Sequence, residues 1–358
     1  LQDEAGAALR ILAILTAKDE GAFLIEWVAH AKAAGFTDLL ILSNDCSDGT
    51  DAMAERLAAL GLAAHLPNPG PHPKGAQWAA LDRAGAHPLW VAADWAMVHD
   101  IDEFLCVKTG DGTVGALLAA LPWADAVAVT WRMFGNAGVL RYEDRPVTAQ
   151  FTRAAPAAYH WPWRAQLVKT LHRPALWARP GVHRPRGPQG PAVWADGSGR
   201  RLGDAWAGGR IIAEPGLETT ALVQLNHYAL GSMEGYIVKC ARGRANREAA
   251  GLDMGYWVER NLCAVEDRAA DILSAPRAAW MARLRADPAL ASLHAAAVAW
   301  RRARFAALMA EEPWRALFGR LLMTPPSRVL TAAEAAMIRT HAGRAAAPRT
   351  LARRGPAP

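Results

Sequence analysis

This sequence has no paired cysteines. Its four, Cys46, Cys106, Cys240 and Cys263, are scattered over 358 residues and never take Cys-x-x-Cys spacing. That argues against a structural zinc site and for reduced, half-buried thiols in a cytoplasmic protein. Long apolar runs are missing too. The best stretch, Val114 to Val129, is broken by Pro122 and Asp125, so no transmembrane segment is expected. Peripheral membrane contact is left open. No Lys/Arg run occurs before the extreme C-terminus, and the formal charge is only +6. This suits an acidic small-molecule partner and argues against nucleic acid. Neither a Gly-x-Gly-x-x-Gly nor a Gly-rich phosphate loop follows the first apolar run. Dinucleotide binding and P-loop phosphoryl transfer are thereby disfavoured.

The chain does carry a strand–helix alternation at its start. Ile11 to Thr16 is a continuous apolar run of strand length. Phe23, Leu24, Trp27, Val28 and Ala31 then recur at helical spacing, and Gly35 ends that helix. Asp38 to Ser43 reads as a second strand, followed by a turn cluster and a helix for which Thr50 is the expected cap. Such a unit belongs to an α/β sheet, where ligands bind at the strands' carboxyl ends. Further strands are expected at Trp95 to Val98, Ala126 to Trp131, around Lys169, at Ile211 to Ala213 and at Leu222 to Tyr228. Gly187 to Gly209 reads as a long exposed loop. Ser232 is the expected cap of a helix from Met233 to Asn246, with Met233, Tyr236 and Ile237 on its apolar face. Beyond Arg277 the pattern is helical to about Met323, and the last residues read as disordered.

The chemistry is expected at WAMVHDIDEF. A short apolar strand runs into Asp100 and Asp102, one residue apart. On an extended segment both carboxylates point to one side and reach one point. A hard divalent cation, Mn²⁺ or Mg²⁺, takes oxygen ligands of that kind together with substrate phosphates. Ile101 and Phe104 would face the core.

Five segments in one order add a resemblance. TAKDEGAFLIEWVAHAKAAGFTDLLILSNDCSDGTD, HDIDEFL, WRMFGNAG, GVHRP and NHYALGSMEGYIVKCARG are similar to family-2-like glycosyltransferases of the subgroup related to family 92, over roughly residues 10 to 270. The resemblance implies a GT-A fold: a Rossmann-like mixed sheet flanked by helices, here with a C-terminal helical extension. It divides the chain into a transferase domain (1–235), the extension (236–325) and a weakly ordered tail (326–358). It implies a metal-dependent transfer from a nucleotide-diphosphate sugar, UDP-linked by preference, to a glycan or other hydroxyl acceptor, in a setting such as polysaccharide biosynthesis.

The same resemblance suggests roles. Thr16, Lys18 and Glu20 would meet the nucleotide, although Glu20 also suits a helix N-terminus. Asn44 and Gln77 offer polar contacts to nucleotide or sugar, and Ser43 stands where relatives carry an Asp. Asp102 is the first choice for metal and catalysis, and Asp100 for metal, ribose or sugar. Lys169 would steady the diphosphate. His183 and His227 compete as a third metal ligand. Trp131, Phe134 and Asn136 are candidates for the sugar pocket. Glu234, Asp253 and Asp267 are candidates, by rough position, for a base that deprotonates the acceptor. Lys239, Arg242 and Arg244 project from one helix toward a phosphate or an acidic acceptor. Two other readings compete: a non-catalytic sugar- or cation-binding module, and a phosphohydrolase with Asp100 as nucleophile.

Overall fold

The computed structural model describes residues 9–73, 75–243 and 253–345. Lys74, Arg244, the end of the helix expected to reach Asn246, and the final stretch 346–358 lie outside the described residues.

The N-terminal pattern folds as its apolar spacing dictates. Strands β1 (Ile11–Ala17) and β2 (Asp38–Ser43) flank helix α1 (Gly21–Ala33). Leu12, Ala13, Ile14 and Leu15 are fully buried, because both faces of β1 are covered. Helix α2 (Thr50–Ala59) and strand β3 (Ala64–Pro67) follow, then helix α3 (Ala76–Gly85) and strand β4 (Trp95–Val98). Thr50 is the first residue of α2, not its cap. Gly49 takes that position at φ +88°, where a side chain would be strained. The Thr50 hydroxyl instead donates to Asp48 Oδ1 and accepts from the Glu20 N–H, tying the two loops together.

Past β4 the sheet becomes mixed. Strand β5 (Glu103–Val107), helix α4 (Val114–Ala120), and strands β6 (Ala126–Met133), β7 (Val168–His172), β8 (Trp194–Asp196) and β9 (Val223–His227) complete it. The strand order is β3-β2-β1-β4-β7-β6-β9-β5, with β8 also pairing β6. Strands β1 to β4 run parallel. Strand β7 is antiparallel to both β4 and β6, and β9 is parallel to β6. This is the expected mixed sheet flanked by helices.

Two expectations fail here. The stretch expected as an exposed loop, Gly187 to Gly209, contains β8 and a one-turn helix at Asp204–Ala207, with Trp194 and Trp206 buried against the sheet. The strand expected at Ile211 to Ala213 makes a single bridge, Leu167 to Ile212.

Helix α5 (Met233–Arg242) buries Met233, Tyr236 and Ile237, and Ser232 caps it by accepting from the Gly235 N–H. The boundary expected at residue 235 therefore falls inside a helix. Helices α6 (Met254–Arg260), α7 (Ser274–Arg285), α8 (Pro288–Leu308), α9 (Glu312–Met323) and α10 (Ala332–Ala345) supply the C-terminal part. Helices α7 and α8 pack on α1 and α2. A Cβ at Gly21 would lie 2.9 Å from Ala297 Cβ, so the first turn of α1 needs a residue without one. Arg56 pairs with Asp287 across the same contact.

Candidate active-site cleft

The chain leaves β4 in a turn, not an extended segment. The Glu103 N–H donates to Asp100 O at 3.0 Å, and the Asp100 N–H donates to Glu103 Oε2 at 2.8 Å. Asp100 and Asp102 therefore do not converge on one point, as an extended spacing would require. Asp100 Oδ2 accepts from Lys169 Nζ at 3.1 Å, and its Oδ1 from Gln77 Nε2 at 3.2 Å. Asp102 Oδ2 accepts from Lys239 Nζ at 2.6 Å. Ile101 and Phe104 are buried.

Both aspartates line one cleft of about 520 Å³ at the carboxyl ends of β1, β4, β6 and β9. Thr16, Lys18, Glu20, Asn44 and Gln77 line it from the β1 and β2 side. Asn44 is held there by donating to Ala17 O, while its Oδ1 accepts from Asn68. His183, His227 and Trp131 line it from the β6 and β9 side. Lys169 sits beneath, unexposed, as a buried prop under Asp100. Phe134 and Asn136 do not line the cleft. Phe134 packs in the core, and Asn136 donates to Val139 O and Gly231 O.

The three candidate bases go elsewhere. Glu234 Oε2 accepts from the Tyr142 N–H. Asp253 caps α6 by accepting from the Tyr256 N–H. Asp267 is bound by Arg132 at 2.7 Å and by Gln224. None of them lines the cleft, since each is spent on holding a loop or a helix end. Among the described residues only Glu20, Asp100 and Asp102 bring carboxylates to it, and all three are ion-paired.

The electrostatics follow from these pairings. Burial works against the Asp102 charge, but Lys239 and His227 outweigh it and hold the carboxyl well below its usual range. Burial pushes the Glu103 carboxyl up, against the pull of Lys169. It also pushes the His183 imidazole down to about 4, leaving that ring neutral with Nδ1 at 3.0 Å from Val168 O. His227 Nε2 stands 3.6 Å from Asp102 Oδ2, and its Nδ1 is buried without a partner. Trp131 lies against both histidines, at ring distances of 4.2 Å from His227 and 5.5 Å from His183. Of the two, it is therefore His227 that stands beside Asp102.

Helix α5 ends over the cleft and aims two cations into it. Lys239 also donates to Ala229 O at 2.7 Å, while Arg242 donates to Lys18 O at 2.6 Å and pairs with Glu20. Arg164 also lines the cleft. Tyr256 and Arg260 of α6 line it too and were not singled out. Their four-residue spacing on one helix face was the available signal. No helix among the described residues is long and apolar enough to cross a membrane.

No family model and no curated protein matches the chain. Solved structures resemble it over about half its length. One is S. aureus TarS, with 12% identity over 47% of this chain and 29% of that one, at a TM-score of 0.31. The 1–349 portion of TarS in complex with UDP shows 10% identity over 47% and 48%, at 0.30. Glucosyl-3-phosphoglycerate synthase from Mycobacterium tuberculosis, in complex with Mn²⁺, UDP and glucosyl-3-phosphoglycerate, shows 17% identity over 47% and 58%, at 0.28. The chain thus spans less than half the length of the TarS chains it resembles. Likeness this remote leaves function to be argued from the side chains.

Proposed function

We propose that the protein is a cytoplasmic glycosyltransferase of the family-2-like, GT-A kind. It would move a sugar from a nucleotide-diphosphate sugar, UDP-linked by preference, to a hydroxyl acceptor. The observation that carries this reading is the placement of Asp102 between His227 and the two α5 cations in a cleft of nucleotide-sugar size.

A divalent cation fits the donor set in part. One carboxylate and one imidazole 3.6 Å apart can share an ion whose other ligands are phosphate oxygens and water. Among the described residues no cluster of three metal-binding side chains forms. The fit therefore depends on Asp102 and His227, with Lys239 giving up its hold on Asp102 Oδ2. Such an ion would act as a Lewis acid on the leaving diphosphate.

The chain's own groups carry the remaining work. Thr16, Asn44 and Gln77 bound the side where the nucleoside would lie. Lys239 and Arg242 offer N–H donors to phosphate oxygens as negative charge grows there. Lys169 and Glu103 hold Asp100 in place. We keep the division at residues 235 and 325 as part of this proposal, with α5 as the element shared across the first boundary.

The test is hydrolysis and transfer from a panel of UDP-sugars with Mn²⁺. Asp102→Asn should lower the rate by about 10²–10³, the size typical for losing one charge-stabilising group. Unchanged rate and unchanged response to Mn²⁺ would reject the reading.

A further inference from the structure

The β6/β9 end of the cleft holds polar atoms that nothing satisfies. Trp131 Nε1 and Arg260 Nε are both buried with no hydrogen-bond partner. Their residues are 7% and 6% exposed, and both line the cleft. Each nitrogen is a donor only. A buried donor left unpaired costs about 1–3 kcal/mol, so it calls for an acceptor oxygen. The guanidinium is further fixed in place, 3.7 Å from the Tyr256 ring centroid. Its ion pair is with its neighbour Glu259, through Nη1 at 3.2 Å. No carboxylate of the cleft pairs with it. The cleft acids Glu20, Asp100 and Asp102 are held by Arg242, Lys169 and Lys239.

The sheet order says which substrate reaches this corner. The residues assigned to the nucleotide lie at the carboxyl ends of β1 and β2 and at the start of α3. Trp131 is on β6, and His227, against which it packs, ends β9. Between β1 and β9 stand β4, β7 and β6. Four inter-strand steps amount to roughly 19 Å. Asp102 stands at the second end, 3.6 Å from His227, with Lys239 on it, while Arg242 pairs with Glu20 on the β1 side.

We infer that this corner is an acceptor subsite that recognises an anionic group, with Arg260 and the Trp131 N–H binding a carboxylate or phosphate on the molecule that receives the sugar. This rests on the transferase reading and adds the chemical class of the acceptor. An Arg guanidinium suits such a group because its N–H donors match two oxygens at once.

The probes are two matched pairs: glycerol 3-phosphate against glycerol, and glucuronate against glucose. Each is titrated by calorimetry into the full chain, with UDP and Mn²⁺ present and again without them. The charged member of each pair should bind at least tenfold more tightly. Arg260→Gln should bring the members of each pair together, by a loss larger than any change in UDP affinity. Arg260→Lys keeps a cation and should retain part of the preference, which separates recognition from a folding defect. Equal binding of charged and neutral members to the unaltered chain would overturn the inference, as would a preference that survives Arg260→Gln. A donor comparison fixes the source of the charge. If UDP-glucuronate outbinds UDP-glucose tenfold while glycerol 3-phosphate gains nothing over glycerol, the acceptor assignment is wrong. Failure of UDP to bind at all would bring down the transferase reading, while the titrations without UDP would still report the anion preference.

Discussion

Asp100 and Asp102 stand two residues apart, yet each holds a different lysine in a different setting. Lys169 rises from the central strand β7, is unexposed, and meets two carboxylates, Asp100 at 3.1 Å and Glu103 at 3.4 Å. Lys239 comes from the last turn of a helix, and its side chain and that of Asp102 stay about a fifth exposed. Burial opposes both lysine charges, and in both cases the carboxylates outweigh it. Lys169 and Glu103 are sealed into the sheet, so that lysine cannot be given up without stranding a charge, while Asp100 itself is a third exposed at the cleft. The second pair stands at the cleft, where a phosphate oxygen or a metal ion can take over either partner. The motif thus joins an acid held by a buried lysine to one held by a helix-borne lysine at the cleft, and its spacing alone does not say which is which.

Removing the sealed lysine should have the largest effect. Lys169→Met leaves Glu103 without its counter-charge, and breaking a buried pair from one side costs about 3–5 kcal/mol. Urea denaturation should show that loss as a lower midpoint with little change in slope. A loss under about 1 kcal/mol would erase the contrast between the two pairs. The next effect is a recovery. Adding Glu103→Gln to Lys169→Met removes the stranded carboxylate and should return about 2 kcal/mol, because the cost lies in the unpaired charge and not in the lost contact. If the double variant is no more stable than the single one, Glu103 already bears a proton in the folded protein.

Much of this was legible in the sequence, and the failures have physical causes. Strands β1 and β2 announce themselves as continuous apolar runs because both their faces are covered. The sequence singled out both aspartates, which line the cleft, but not their geometry. The turn that splits it depends on the Glu103 side chain folding back on the Asp100 N–H. Strand β8 escaped because it is three residues long, and its partner, Ala126–Ala128, lies some seventy positions earlier. Glu234 and Asp267 were named from position alone, and their partners Tyr142 and Arg132 come from distant segments. Asp253 was readable in principle, since an Asp just before a helical run is a common cap. Arg260 could not be weighed without knowing that α6 packs over the cleft.

The smallest expected effect on stability belongs to the Lys239–Asp102 pair, and it sharpens the comparison most. Lys239→Met keeps the aliphatic stem that packs along α5 and removes only the ammonium. Asp102 then keeps His227 as a neighbour and its edge on the cleft, so the folding cost should stay well below that of Lys169→Met. UDP affinity should fall about tenfold, because the lost charge faces the proposed position of the diphosphate. Calorimetry with UDP and then with uridine separates the two contributions: the variant should lose affinity for the former and not for the latter. Equal losses for both ligands would mean that Lys239 shapes the cleft without touching phosphate. A stability loss as large as that of Lys169→Met would mean that both lysines are structural and that the working acid must be sought elsewhere.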